Sequence, residues 1–241
     1  MKSYKGQAVV LHTLKYGESG LIVSLYSRES GRETLMLNGV RSKTKGNRAA
    51  LLQPMFLIDY EASEVPHGRM HRLKDIVSAL PIVAEFDMRR SALSMFIAEV
   101  VYRLVKEEVA NEDMYRFLAQ TSCWLREMGE GVENLHLWFM VRLSVLMGFC
   151  PEDNWFEESF FDVCQGRFVV LPPMHKMYFD RENSELLNRL MCVDTTEQLA
   201  GIALSRVRRR EFLENMLTFI GYHNEGMGAV RSIEVLQEIF G

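Results

Sequence analysis

The spacing of apolar residues changes once along this 241-residue chain, near Pro81, and that change limits the folds open to it. Before Pro81, short β-branched and aromatic runs such as residues 21–26 alternate with turn residues, which is typical of strands. After it, apolar residues recur every three or four positions, which is typical of helices with a buried face. The pattern predicts two regions of different class, residues 1–80 and residues 81–241.

The first region contains five predicted strands joined by turn sequences such as Ser30-Gly31-Arg32. The strands are expected near residues 8–11, 21–26, 34–37, 55–62 and 69–77. Five short strands with a long connection between the third and the fourth favour a small closed β-barrel of the OB type. An SH3-like barrel is the alternative.

The second region is predicted to be α-helical with a small β-hairpin insert at about residues 155–173. Helices are expected near residues 85–105, 111–128, 133–147, 184–191, 196–204, 206–222 and 230–240. Within the insert, the turn sequence Cys164-Gln165-Gly166-Arg167 separates two aromatic runs and predicts the hairpin. The fold class is therefore α+β multidomain, with an N-terminal five-stranded OB-type β-barrel followed by an α-helical domain.

Charge is distributed unevenly between the two regions. Residues 1–80 hold twelve Lys and Arg against seven Asp and Glu, a net charge of +5, whereas residues 81–241 carry −9. The densest cationic segment, residues 38–48, has four cations, two glycines and no acid. Such a segment cannot bury itself and offers its cations to a polyanion. Nucleic acid is the predicted partner of the first region, and a solvated connector is the alternative for the segment.

An OB barrel binds single strands through a cationic groove with aromatic rings beneath the bases. The predicted DNA-binding residues are Arg41, Lys43, Lys45, Arg48, Arg28, Arg32, Lys15, Arg69 and Arg72. The candidates for base stacking are Tyr16, Tyr26 and Tyr60, each of which could lie in the core instead. Because no base-reading element is evident, we expect little sequence preference.

The sequence lacks the motifs of the common enzyme classes: no dinucleotide-binding glycine loop, P-loop, nucleophile elbow or zinc-protease helix is present. A non-enzymatic protein without cofactors is expected. His67 and His71 are interpreted as surface histidines near a basic strand. His175 could meet Cys164 and Cys192, but no two cysteines are closely spaced, so buried thiols are favoured over a metal site.

The chain has no apolar run near the length of about 18 residues that a membrane helix needs, and no apolar signal segment follows Met1. Free cysteines fit a reducing compartment. We therefore expect a soluble, cytoplasmic protein with no membrane partner.

Several short motifs occur in an order and spacing typical of one family. They are Val10-Leu11-His12-Thr13, Lys15-Tyr16-Gly17-Glu18-Ser19, Leu25-Tyr26-Ser27-Arg28-Glu29-Ser30-Gly31-Arg32, Gly39-Val40-Arg41-Ser42-Lys43, Leu52-Gln53-Pro54 and Leu146-Met147-Gly148-Phe149. With these motifs the chain resembles, over nearly its whole length, the RecO family of bacterial proteins that mediate DNA repair and recombination.

The resemblance implies an OB barrel and a helical domain that bind single- and double-stranded DNA, anneal complementary strands and help to load recombinase onto DNA coated by single-stranded-DNA-binding protein (SSB). It implies two partners, RecR and the acidic C-terminal tail of SSB, and a location in the bacterial cytoplasm at the nucleoid. At matching positions it implies DNA contacts by Arg41, Lys43, Arg28 and Arg32. Many family members hold zinc with four cysteines, but the cysteine pairs are missing here, so no structural zinc is expected.

The SSB tail ends in an apolar residue with a free carboxylate, and such a peptide needs an apolar pocket rimmed by cations. Arg142 beside Trp138, or Arg206 beside Phe212, could supply it, and the sequence does not choose between them. Arg206 also begins a cationic helix start, which opposes the helix dipole and favours an anionic partner; a solvated face is the alternative. The competing function is an OB adaptor for an acidic protein, with DNA binding incidental.

Overall fold

The computed structural model describes residues 2–39, 48–66, 70–81 and 87–240. The chain forms two compact units, Met1–Arg126 and Glu127–Gly241. The first unit contains the strands of the N-terminal region together with the first two helices. The boundary between the units thus falls later than residue 80, where the hydrophobic pattern changes.

The strands of the first unit close into a barrel, which confirms the predicted five-stranded OB-type fold. They are β1 (Ser3–Tyr16), β2 (Gly20–Ser27), β3 (Gly31–Leu37), β4 (Leu57–Ser63) and β5 (His71–Ser78), in the closed order β1-β2-β3-β5-β4. Neighbouring strands are antiparallel except for β3 and β5, which pair in parallel. A short 3₁₀ helix, Arg48–Leu52, precedes β4.

The barrel closes because β1 is long enough to serve two neighbours. Its first half pairs with β4 from Ser3 to Val9, and its second half pairs with β2 from Ala8 to Tyr16, with a register shift after Val10. Alternate residues of each strand point inward and form one apolar core. That core includes Ala8, Val10, Val23, Leu25, Leu35, Leu37, Ile58, Ala62, Leu73 and Ile76.

Two helices complete the first unit, α1 (Met88–Leu104) and α2 (Glu112–Glu127). The carboxylate of Asp87 accepts hydrogen bonds from the backbone N–H groups of Arg89 and Arg90, and so caps the start of α1. Asn111 caps α2 in the same way, through a 3.0 Å bond from the N–H of Met114. The helix expected near residues 111–128 is therefore present, with Asn111 at its N-cap.

The second unit is built around α3 (Leu135–Leu146), which is buried on nearly every side. The other helices of this unit are α4 (Arg181–Met191), α5 (Thr196–Ala200), α6 (Arg206–His223) and α7 (Ser232–Phe240). A helix that is apolar all round can be stable only in the interior, which is why its sequence predicts a central position. No helix in the described ranges is both long and apolar enough to cross a membrane.

The predicted hairpin insert is present as β6 (Phe160–Asp162) and β7 (Arg167–Val169). A third strand, β8 (Tyr178–Phe179), pairs with the other edge of β6 and was not predicted from sequence. At two residues it is too short to show any periodicity. The ring of Phe161 anchors this sheet, with its centre between 5.1 and 5.3 Å from those of Phe168, Phe179 and Phe219.

Candidate nucleic-acid interface

The predicted DNA contacts Arg41, Lys43, Lys45 and Arg69 lie outside the described residues. The basic segment ends at Arg48, whose guanidinium donates to the carbonyl oxygen of Lys74 at 2.8 Å and pairs with Asp75 at 2.9 Å. Arg48 therefore fixes the end of the segment to β5, and its charge is already shared with Asp75.

Arg32 has a structural role in the first unit. One guanidinium nitrogen donates to the carbonyl oxygens of Tyr102 and Val105, at 2.8 and 3.2 Å. Carbonyl groups at the end of a helix lack partners within the helix, so this contact caps the C-terminus of α1. The assignment of Arg32 as a DNA contact stays a prediction, which these contacts disfavour because they hold the guanidinium against α1.

Arg28 is exposed and forms a two-pronged ion pair with Glu112 of α2, with N–O distances of 3.0 and 2.9 Å. The hydrogen bond and the charge of Glu112 raise the pKa of Arg28, and the same bond lowers the pKa of Glu112. Because the pair is exposed to solvent, it is weak enough to open when a polyanion competes for Arg28.

Two of the predicted cations present their charge to solvent. Lys15, near the end of β1, and Arg72, near the start of β5, are both exposed. In the part of the chain that the structure describes, neither has an acidic partner within 4.0 Å. They are the described cations of the predicted set that are best placed to meet a phosphate.

The three candidate stacking residues lie in different environments. The ring of Tyr16 is 55% exposed at the tip of β1, whereas Tyr26 and Tyr60 are buried. The hydroxyl of Tyr60 donates to a carboxylate oxygen of Glu33 at 2.7 Å, and the hydroxyl of Tyr4 donates to the other. Burial and the Glu33 charge raise the pKa of both tyrosines. The stacking assignment of Tyr26 and Tyr60 is corrected, because both rings belong to the core.

Sequence reasoning did not identify an acidic face on the outside of β1, β4 and β5. Asp59, Glu61 and Asp75 lie there with Glu29 and line a groove of about 470 Å³. The alternation of acids within β4 could have located it, since residues two apart share a face of a strand. Four acids against one lysine, Lys5, make this groove unfavourable for phosphates, so the charge of the barrel favours a polyanion on the side of β2 and β3.

Comparison with known proteins decides the family. Residues 1–80 match the model for the N-terminal domain of recombination protein O, and residues 85–228 match the model for its C-terminal domain. The chain belongs to the RecO family of DNA repair proteins. It is 31% identical over 238 residues to the DNA repair protein RecO of Phocaeicola vulgatus, and 30% identical over 239 residues to that of Bacteroides fragilis, with 98% of each chain covered.

The RecO helical domain raises the question of zinc, and the residues present do not fit it. In this unit Cys150 and Cys192 are exposed and stand apart, while Asp162, Cys164 and His175 bring their ligand atoms within 4.8 Å of one another. One oxygen of the Asp162 carboxylate already accepts the backbone N–H groups of Cys164 and Gln165, at 2.9 and 3.1 Å, and lies 3.4 Å from Nε2 of His175.

The tautomer of His175 argues further against a metal. The backbone N–H of Met177 donates to Nδ1 of His175 at 3.2 Å, so Nδ1 is the acceptor and Nε2 carries the proton, facing Asp162. A metal bound at Nε2 would require the opposite tautomer, with Nδ1 as the donor. The expectation that this RecO-family chain lacks structural zinc stays a prediction, which a metal assay on the purified protein would test.

The aromatic residues of the two candidate pockets for an acidic peptide are both buried in the second unit. Trp138 is buried and its indole N–H donates to the carbonyl oxygen of Val193 at 3.0 Å, and Phe212 is fully buried. Neither ring is open to solvent, so a pocket beside Arg142 or Arg206 would need other apolar side chains, and its position stays a prediction. A guanidinium nitrogen of Arg142 lies 3.7 Å from a carboxylate oxygen of Asp194. Arg206 is exposed at the start of α6.

The remaining arginines at the start of α6 are mostly paired within the second unit. Arg208 pairs with Glu182 and Glu211. Arg209 is buried and donates to the side-chain oxygen of Asn134 at 3.0 Å. The sequence-based inference of a strongly cationic helix start is therefore weakened. A small cavity of about 20 Å³ remains, lined by Arg206, Arg209, Arg210, Leu213, Leu236 and Phe240 among others.

Proposed function

We propose that this RecO-family protein is a non-enzymatic mediator that binds single- and double-stranded DNA, anneals complementary strands and assists recombinase loading onto SSB-coated DNA. The observation that carries the proposal is the OB-type barrel of a RecO chain whose groove acids, Asp59, Glu61 and Asp75, lie on β4 and β5. Its cation-rich segment, residues 38–48, follows the end of β3 in the chain, and the last residue of the segment, Arg48, contacts β5.

The proposed mechanism is neutralisation of charge without bond chemistry. Two strands repel each other through their phosphates, and cations on the barrel displace counterions so that the strands can approach. We assign this role to Arg41, Lys43 and Lys45, supported by Lys15 and Arg72. If about four to six phosphates are neutralised, the affinity for single strands falls with salt at a log–log slope of about −3 to −4.

Recruitment is proposed to use the second unit, with RecR and the SSB tail as partners. For the tail, the Arg206 side is better supported than the Arg142 side. Arg206 is exposed and lines a small cavity together with Phe240 of α7, which is partly exposed, whereas Trp138 beside Arg142 is buried and hydrogen-bonded. An acidic peptide with an apolar, free C-terminus is the ligand that this combination of charge and apolar surface suits.

Annealing of two complementary oligonucleotides, bare and SSB-coated, tests the mediator function. The wild type should accelerate annealing, and Arg41→Ala/Lys43→Ala/Lys45→Ala should lose most of the acceleration and most of the salt slope. A control with the same change in net charge is Arg89→Ala/Lys106→Ala/Lys176→Ala, at three exposed positions elsewhere. An equal loss in both triple variants would remove the assignment of the segment.

The adaptor function is the rival, and the same protein preparations separate the two. If the folded wild type neither anneals nor binds DNA at physiological salt, yet binds an acidic peptide with an apolar free C-terminus, the adaptor replaces the mediator. Arg206→Ala and Arg142→Ala, compared in that peptide titration, distinguish the two proposed pocket positions.

A further inference from the structure

A row of apolar side chains crosses the outer surface of the barrel. The backbone registers place Leu14 of β1 beside Ile22 of β2, Ile22 beside Met36 of β3, and Met36 beside Arg72 of β5. Because paired residues lie on the same face of a sheet, the four side chains form one continuous row. Its length is about 14 Å, since neighbouring strands are about 4.8 Å apart. We call these four residues the cross-strand row.

The row is accessible, which is unusual for a line of large apolar side chains. Leu14 is 54% exposed, Ile22 and Met36 are partly exposed, and Tyr16, two residues from Leu14 on the same strand face, is 55% exposed. The inward neighbours show the contrast, because Leu35 and Leu37 of β3 are buried in the core. The row is therefore surface that the barrel does not need for its own packing.

Charge around the row favours an anionic ligand with apolar faces. Arg72 of β5 ends the row, and the acids Asp59, Glu61 and Asp75 lie in the groove of β1, β4 and β5 described above. A nucleic-acid strand has this combination, because its phosphates meet cations while its bases present flat apolar faces. A stable protein interface buries about 800 Å² on each partner, and a row one residue wide offers much less.

The position of the row within the chain supports the same ligand. Met36 lies at the end of β3, three residues before Gly39, and Arg48 contacts β5 at Lys74 and Asp75, just beyond Arg72. The described residues on both sides of the basic segment thus lie next to the Met36–Arg72 pair. A strand whose phosphates are drawn to this side of the barrel would bring its bases over the row.

We propose that Leu14, Ile22 and Met36 form a base-contacting surface for single-stranded DNA, with Tyr16 at its end and Arg72 on the adjacent phosphate. This inference rests on the proposed DNA-binding function and adds the part of the ligand that the row contacts. The row separates two kinds of DNA, because paired bases in a duplex are stacked inside and cannot lie on it. Single strands therefore gain a contact that duplexes lack.

The test compares two probes of equal charge, a labelled thymidine oligonucleotide of about 20 nucleotides and an abasic oligonucleotide of the same length. Leu14→Ser/Met36→Ser should lower the affinity for the thymidine probe about tenfold, leave the abasic probe within twofold and leave the salt slope unchanged. The control is Val77→Ser/Val109→Ser, which changes two exposed apolar residues of the same unit outside the row. Its affinity for both probes should equal that of the wild type.

Each outcome has a distinct meaning. If the wild type binds neither probe, the proposed function fails; if it binds both and the row variant loses neither, or loses both equally, only this inference fails. An unchanged affinity for thymidine together with lost binding to a protein partner would make the row a protein-docking surface. Because serine could perturb the barrel, Met36→Trp gives a second readout: its fluorescence should be quenched by the thymidine probe and not by a duplex.

Discussion

The guanidinium of Arg32 lies 4.3 Å from the ring centre of Tyr102 and donates to the carbonyl oxygen of the same residue at 2.8 Å. The backbone N–H of Arg32 also donates to the carbonyl oxygen of Glu107, at 3.0 Å. One residue at the start of β3 thus contacts both the last turn of α1 and the chain that follows it. The sequence suggests that Arg32 is a surface cation. In the structure it links the barrel to α1 of the same unit.

Arg32→Lys tests this role. A single ammonium group cannot reproduce a planar guanidinium that stacks on a ring and donates to two carbonyls. We expect the free energy of unfolding to fall by about 2 kcal/mol, the scale of hydrogen bonds from a charged donor. Affinity for single-stranded DNA should stay within twofold in conditions where the variant is folded. Urea denaturation and fluorescence anisotropy measure the two quantities, and unchanged stability with reduced affinity would restore Arg32 as a DNA contact.

The neighbouring glycine provides a second test of the same junction. Gly31 has a φ of +72°, and a Cβ built there would lie 2.3 Å from the carbonyl oxygen of Val109. Gly17 has a similar φ of +62° but open space around it. Gly17→Ala should therefore cost only the backbone strain, about 1 kcal/mol, while Gly31→Ala should cost about 3 kcal/mol or more because backbone must also move. If urea denaturation gives equal losses of unfolding free energy for the two variants, the backbone around Gly31 adjusts to the new methyl group at little cost.

The periodicity of apolar residues was enough to predict the strands and helices. It was not enough to predict the roles of the charged residues on them. The barrel was predictable because alternation at positions such as Val23 and Leu25 reports directly on the inward face of a strand. The same alternation could not assign Tyr26 and Tyr60 to the buried interior, because that assignment depends on what their side chains contact. Glu33, which accepts the Tyr60 hydroxyl, lies 27 residues away in the chain.

Long-range pairing explains the other differences. Arg32 meets Tyr102 across 70 residues, and Arg28 meets Glu112 across 84. Nothing local in the sequence distinguishes these arginines from Arg72, which lies exposed. The cross-strand row depends on register in the same way, because Leu14, Ile22 and Met36 become neighbours only when three strands are aligned.

The buried His136 of α3 predicts a dependence of stability on pH. Burial, assisted by the charge of Arg209, lowers the pKa of His136 to about 3, from about 6.5 for an unperturbed histidine. Below about pH 6.5, His136 binds a proton in the unfolded chain but stays neutral in the folded chain. The free energy of unfolding therefore decreases as the pH falls towards 3. The loss from this residue at pH 5 should be about 2 kcal/mol.

His136→Leu removes that titration and is the variant that isolates it. Other groups titrate in both proteins, so the quantity to compare is the difference between their unfolding free energies at pH 7 and at pH 5, from urea denaturation. We expect the variant to lose about 2 kcal/mol less than the wild type on this change of pH. Parallel pH profiles would mean that His136 is hydrated or protonated in the folded protein.

Glu112 holds the guanidinium of Arg28, one of the cations that we predict to contact DNA. It accepts both Arg28 and Arg116, so its charge competes directly with any polyanion for these two cations. Glu112→Gln should weaken the Arg28 pair, raise the affinity for single-stranded DNA about threefold and steepen the log–log salt slope by about 0.7, the contribution of one further phosphate contact. Asp113→Asn is the matched control, with the same change in charge one residue further along the first turn of α2.

If both variants raise the affinity equally and leave the slope unchanged, the effect is long-range electrostatics and Arg28 has no contact with DNA. If only Glu112→Gln changes the slope, Arg28 joins the DNA-binding surface by exchanging one carboxylate for a phosphate.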